Sequence, residues 1–246
     1  MNFISFEYDS YYEAFMQSIS ELALSLEAAS DEDSKMALEM IAAMVSSMEV
    51  MTRVNADSQN SNEQPLSEAE VSQVGDYALT LLDEISMVAA NRGLQDAMMS
   101  LHRLSLPVAL WIAEHRGKIS KLEIAVNAIA AYANELKDND ELAGLCDAIS
   151  KIIDATAIEL KQDMDAANPM RPWRIINLNW GIVATRSYQP ELIEQVFAQL
   201  VKNIPLEAPQ FFAEGMEQMD RLNYPDNVRT VMEKYNQLWS SKGSLH

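Results

Sequence analysis

The sequence is poor in the residues that most often announce chemistry. Its 246 residues include one cysteine, Cys146, and three histidines, His102, His115 and His246. A lone cysteine excludes an intrachain disulfide and a CxxC metal knuckle. Cys146 falls on an apolar helical stripe, where a thiol serves as a small core residue. No HExxH and no Glu-x-x-His pair occurs, so the usual helical spacings for zinc or di-iron are missing. The seven glycines are scattered singly, mainly at the ends of helical patterns. There is no GxSxG, GxGxxG or Walker-type loop, hence no nucleophile elbow, dinucleotide fingerprint or phosphate cradle. Carboxylates are so numerous that any pair chosen for acid–base work would be arbitrary. The sequence gives no warrant for catalysis, for a metal or for a cofactor, although an enzyme site assembled from distant residues would leave no such mark.

Long apolar runs and positive charge are also scarce. No stretch of about 18 or more uncharged apolar residues marks a membrane span. The first residues, MNFISFEYDSYYEAF, lack the basic and apolar regions of a signal peptide, so the cytoplasm is the default expectation. Lys and Arg number 18 against 37 Asp and Glu, for a formal net charge of −19. The imbalance is concentrated early: residues 1–90 hold 17 acids and only two bases, Lys35 and Arg53. Such a surface repels phosphate, which argues against nucleic acid and anionic membrane as partners. Two readings remain for it, a solvated face that keeps the chain soluble and a docking face for a basic partner.

What the chain does have is helix-forming residues. Ala, Leu, Met, Glu and Gln are plentiful and the apolar fraction is 48%, which favours packed helices. The expectation is an all-α fold of about ten helices, stacked as antiparallel hairpins in an irregular array or superhelix. A single helical domain over 1–246 would comprise an acidic hairpin over 1–54, a loop over 55–66 and an array over 67–240. Tyr12, Phe15, Ile19, Leu22 and Leu26 mark the first buried face. Six of the 18 aromatics fall in the first 15 residues, and that cluster is expected to pack the first helix onto its neighbours. Ser30-Asp31-Glu32-Asp33 reads as a helix start. Met36, Met40, Met44, Met48 and Met51 form a stripe that fills apolar gaps or a partner groove; a copper(I) site is the other reading of thioethers. Ser67 to Glu70 matches a capping box. Pro107 predicts a kink near Arg103–Leu106. Ile119 to Leu136 and Leu142 to about Met164 carry two further helical stripes.

Residues 168–189, NPMRPWRIINLNWGIVATRSYQ, stand out as a stretch with three arginines and no acid. Pro169 and Pro172 precede a helical pattern, as proline suits a first turn. Trp173, Ile176, Trp180 and Val183 recur at helical spacing, and so do Ile175, Leu178 and Ile182, which predicts a helix packed on two adjoining faces. The tail repeats itself. Arg186-Ser-Tyr-Gln-Pro190-Glu191-Leu-Ile193 aligns with Arg221-Leu-Asn-Tyr-Pro225-Asp226-Asn-Val228, and Val196-Phe197 with Val231-Met232, at an offset of 35 residues. Each copy reads as a helix end, a Pro-acid start and the stripe of a new helix. Pro205 and Pro209 flank another helix start between the copies, followed by Phe211, Phe212, Met216 and Met219.

An offset of this size matches one helix–turn–helix unit. Over 168–240 the chain resembles α-solenoid proteins of the tetratricopeptide-like kind, and the resemblance implies stacked helical hairpins and peptide binding. On an ideal wheel Arg171, Arg174 and Arg186 span an arc of about 120°. Arg pairs bidentately with carboxylate or phosphate. The three arginines either neutralise the protein's own acids, such as Asp163, Asp165 or Glu191, or edge an anion-accepting groove floored by Trp173, Trp180, Asn177 and Asn179. The leading expectation is a non-catalytic cytoplasmic scaffold that holds a protein partner by a groove or by its acidic face. The alternative is a small-anion binder or enzyme with its pocket beside 168–189.

Overall fold

The computed structural model describes residues 7–29, 31–57, 66–163 and 168–240. Ser30, most of the expected 55–66 loop, Met164, Asp165 and His246 lie outside the described residues, as do the first aromatics, Phe3 and Phe6. The fold is all-α, with eleven helices and no named strand among the described residues. Chain contacts gather into two compact units, Met1–Tyr132 with Asp154–Leu160, and Ala133–Ile153 with Lys161–His246.

The first unit is built on α1 (Tyr8–Ala29), α2 (Glu32–Asp57), α3 (Glu68–Asn91) and α4 (Gln95–Glu114). Each packs on its chain neighbour, and α4 returns to α1, closing a four-helix ring. The stripe of α1 is Phe15, Ile19, Leu22 and Leu26, all fully buried, and Tyr11 rather than Tyr12 extends it. Of the methionine stripe, Met44, Met48 and Met51 are buried while Met36 is exposed. The helix starts follow the capping signals. Asp31 Oδ1 accepts from Ser34 N at 2.7 Å. Ser67 and Glu70 form the reciprocal box, with Ser67 N donating to Glu70 Oε2 at 2.8 Å. Those bonds from Ser67 hold the Glu70 carboxyl below its ordinary value, because they favour the charged form. α2 runs on to Asp57, so Asn55 to Asp57 belong to a helix and not to the loop expected there.

Pro107 lies inside α4, which continues through it. Its missing N–H leaves the Arg103 carbonyl without the usual intrahelical donor. One residue on, the Leu104 carbonyl accepts from Tyr11 Oη at 2.9 Å. Gly75 lets α3 pack closely against Ile112 of α4. A Cβ there would lie 2.1 Å from Ile112 Cγ1, so only a residue without one fits.

The connection from α4 to α5 (Leu122–Glu135) is held by side chains of α3. Asp76 accepts from Ser120 N at 3.0 Å and from Lys121 N at 3.3 Å. Ser72 Oγ accepts from Lys118 N at 2.7 Å. Ile119, expected within a helix, instead forms a parallel bridge with Thr156. That bridge also ends α6 (Asn139–Ala155), because Ile119 N donates to Ala155 O and Ala157 N to Ile119 O, each at 2.9 Å. The single helix expected from Leu142 to about Met164 is therefore two, α6 and the short α7 (Ile158–Lys161).

The second unit contains α8 (Pro172–Arg186), α9 (Pro190–Asn203), α10 (Ala208–Leu222) and α11 (Asp226–Ser240). α8 packs on α9, α10 on α11, and α9 on α11. The turns at the two aligned tail segments share a backbone feature: Tyr188 and Asn223, each two residues after the aligned arginine, have φ of 55° and 53°. Left-handed backbone is costly for a residue with a Cβ, less so for Asn. Phe197, Phe212 and Tyr235 form the core between these helices, with Phe197 at 5.1 Å from Phe212 and 5.3 Å from Tyr235 by ring centroid. Gly181 lets α8 approach α10, since a Cβ there would meet Phe211 Cζ at 2.5 Å.

Candidate functional site

α8 carries the residues singled out in the sequence, and its two stripes have different fates. Trp173, Ile176, Trp180 and Val183 are buried. The second stripe is only partly covered: Ile175 and Leu178 are half-buried and Ile182 is 47% exposed. The expectation of a helix packed on two adjoining faces is thus corrected to one packed face and one partly covered face that is open at Ile182.

The tryptophans are anchored through their indole N–H groups, as buried indoles require. Trp180 Nε1 donates to the Cys146 carbonyl at 3.0 Å and Trp173 Nε1 to the Asn203 carbonyl at 3.3 Å. Lys161 Nζ lies 5.6 Å from the Trp173 ring centroid. Asn177 is fully buried and joins α8 to α9, donating to Trp173 O at 2.8 Å and accepting from Asn203 Nδ2 at 2.8 Å. Asn179 differs. Its Nδ2 is buried and has no hydrogen-bond partner among the described residues.

Each arginine has partners inside the fold. Arg171, 4% exposed, donates from Nη2 to Glu207 Oε1 at 2.6 Å, from Nη1 to Asp163 O at 2.6 Å and from Nε to Asn168 O at 3.2 Å. Arg174 donates to Pro169 O at 2.9 Å and lies 3.8 Å from the same Glu207 carboxylate. Arg186 donates to the carbonyls of Ala133 and Leu136, at the end of α5 and just beyond it. A guanidinium has five N–H donors, so these two bonds leave three of them without a partner among the described residues. The structure therefore brings Arg171 and Arg174 together on Glu207 and sets Arg186 apart from them. The carboxylate that Arg171 and Arg174 meet belongs to neither Asp163 nor Glu191; Arg171 takes the backbone carbonyl of Asp163.

Arg186 lines a groove of about 360 Å³ between α8, α10 and α11. Ile182 and Arg186 form one wall, Phe211, Glu214 and Leu222 another, and Met232 of α11 closes it. Leu222 is 59% exposed. At the α8 end Tyr224 lines the same groove, edge-on to Tyr188 at 5.4 Å between ring centroids. Burial raises the Tyr224 phenol above its ordinary value; neighbouring Tyr188 adds to the rise and Arg186 opposes it. Glu214, Leu222 and Tyr224 did not stand out in the sequence. The available signal was apolar residues off the buried stripe of α10: Phe211 and Leu222 flank Ala208, Phe212 and Met219, which are the buried ones.

A second cavity of about 500 Å³ lies beside α6, α8 and α9, lined by Cys146, Asp147, Trp180, Gln195 and Gln199 among others. Burial pushes the Cys146 thiol up to about 12, so it is inert as a nucleophile at neutral pH. Among the described residues no group of three or more His, Cys, Asp or Glu side chains is placed to hold a metal ion. No described helix is long and apolar enough to cross a membrane. Comparison of the chain with family models, with curated proteins and with solved structures finds no match.

Proposed function

We propose that this chain is a non-catalytic interaction protein that holds a protein partner in the groove between α8, α10 and α11. The observation that carries the reading is the open apolar surface there, with Ile182 47% and Leu222 59% exposed on the walls of a concave site. Exposed apolar side chains scattered singly need no explanation, but two that converge on one groove mark an interaction surface. The paired hairpins α8–α9 and α10–α11, each turning through a left-handed residue before its proline, agree with the α-solenoid resemblance and with peptide binding. A cytoplasmic setting belongs to the same reading, as does a second docking role for the acidic face of residues 1–90.

The test places a photo-crosslinking residue at Leu222. Partner protein crosslinked by this variant, and lost when Ile182→Glu is added, supports the reading. Crosslinking unchanged by Ile182→Glu counts against the groove.

The second reading, a small-ligand binder, is favoured by one observation. The cavity beside Trp180 combines an indole face with the amides of Gln195 and Gln199. Arg171, Arg174 and Arg186 do not line it, so a ligand there would be held by amides and not by guanidinium. Thermal stabilisation by a panel of small metabolites, abolished by Gln199→Ala, is its test.

A further inference from the structure

The groove is apolar along its length and oppositely charged at two places. Its lining contains one base, Arg186, in the last turn of α8, and one acid, Glu214, in the middle of α10. Arg186 is fixed in place by the Ala133 and Leu136 carbonyls while three of its N–H donors have no partner among the described residues. Beside it the Tyr224 hydroxyl also has no hydrogen-bond partner among the described residues. These are preorganised donors on the groove wall, suited to a carboxylate. Glu214 is exposed; its Oε1 accepts from Gln210 Nε2 at 2.7 Å, and its other oxygen is open to a cation. Tyr224, which adjoins Arg186, follows two residues after Leu222, and Leu222 is eight residues along α10 from Glu214, a rise of about 12 Å, or two helical turns. Ile182, Phe211, Met219 and Leu222 contribute to the groove's apolar lining.

From this charge complementarity we infer that the occupant is an amphipathic helix of a protein partner. It lays an apolar stripe over Ile182, Phe211 and Leu222, sets a carboxylate against Arg186 and Tyr224, and sets a basic side chain against Glu214 about two turns away. The inference rests on the reading of the groove as a partner site. A helix fits better than a strand because the groove walls are helices, which offer no sheet edge for main-chain pairing, whereas a helix satisfies its own backbone and presents side chains at i, i+3, i+4 and i+7. At about 360 Å³ the groove admits side chains and not a whole segment.

The experiment uses the full chain and three fluorescently labelled helical peptides that share one apolar stripe. One carries an acid and a base about two turns apart, one carries acids at both places, and one carries glutamine at both. Anisotropy titrations at low salt are repeated with Glu214→Lys, a substitution at an exposed position, whose folding is checked by circular dichroism. The expected result is tightest binding of the acid–base peptide, by about fivefold over the glutamine peptide, with the advantage shrinking as salt is raised. Glu214→Lys should shift the preference to the peptide with two acids. Equal binding of all three peptides overturns the charge assignment while leaving the groove as a partner site. A preference that Glu214→Lys does not move places the peptide elsewhere and overturns the inference. No binding by any peptide, with Leu222→Glu indistinguishable from the parent, overturns the inference together with the groove reading on which it rests.

Discussion

Arg171 and Glu207, 36 residues apart, meet at 2.6 Å and tie the start of α8 to the start of α10. Their side chains are only 5% and 14% exposed. Glu207 Oε1 also faces Arg174 Nε at 3.8 Å, so one carboxylate serves two guanidinium groups.

Breaking a pair this buried strands a charge in the interior. Arg171→Ala should destabilise the chain by about 3 kcal/mol, read as a lowered midpoint in urea denaturation. Glu207→Ala should cost a similar amount, and the double variant less than the sum, because the second change removes the stranded partner. Additive losses would show that the two side chains act independently.

Gly75 and Gly93 are needed for different reasons, and alanine distinguishes them. At Gly75 the added methyl collides with Ile112, and overpacking of this kind costs about 1–3 kcal/mol. The double variant Gly75→Ala with Ile112→Ala should lose less than the two single losses added together, measured by thermal melting. At Gly93 a Cβ meets nothing within 4 Å, but φ is 77°. Gly93→Ala should cost about 1 kcal/mol and Gly93→Asn less, with no relief from trimming any neighbour.

Tyr11 makes the first unit sensitive to alkali. Burial raises its phenol well above the ordinary 10.0, with Tyr132 adding to the rise. The folded state favours the protonated form, so this contribution is complete below pH 10 and is lost as pH rises from there through the raised value. Tyr11→Phe should forfeit about 1 kcal/mol at neutral pH with the lost bond to Leu104 O, and should flatten the decline of stability above pH 10. A decline as steep as the parent's would rule Tyr11 out as its source.

His102 acts at the opposite end of the scale. Its Nε2 lies 3.0 Å from Ser86 Oγ, and burial lowers its value below the ordinary 6.5 against an opposing pull from Asp83. The folded state favours neutral imidazole. Its contribution is complete above pH 6.5 and is lost as pH falls through the lowered value. Chemical denaturation of His102→Gln should therefore show a smaller loss of stability on acidification than the parent; an identical pH profile would assign the acid sensitivity to other groups.

The fold was largely legible because each helix writes its own pattern. Ser67 and Glu70, Phe15 to Leu26, and the prolines before Trp173 act within a few residues, at spacings set by the helix itself. The ends of α5 and α6 were not legible. Ile119 and Thr156 both read as helical, yet they pair with one another across 36 intervening positions, ahead of α5 and at the end of α6. Nothing local announces a partner so distant. The candidate site divided in the same way. Trp173, Trp180 and Asn177 declared themselves as unusual, but their roles as anchors to Asn203 and Cys146 depend on which backbone carbonyls lie opposite.

The sequence by itself determined that this protein is helical, the caps at Asp31 and Ser67 and the buried stripe of most helices, because those depend on propensity and on a period of about 3.6 residues. Only the tertiary structure decided what the charges and exposed apolar side chains do. It spent Arg171 on Glu207 and two backbone carbonyls, set Arg174 beside the same carboxylate, left part of Arg186 facing a groove, and left Ile182 exposed. Each of these outcomes depends on which helix comes alongside α8, a fact of packing between segments that no local pattern encodes.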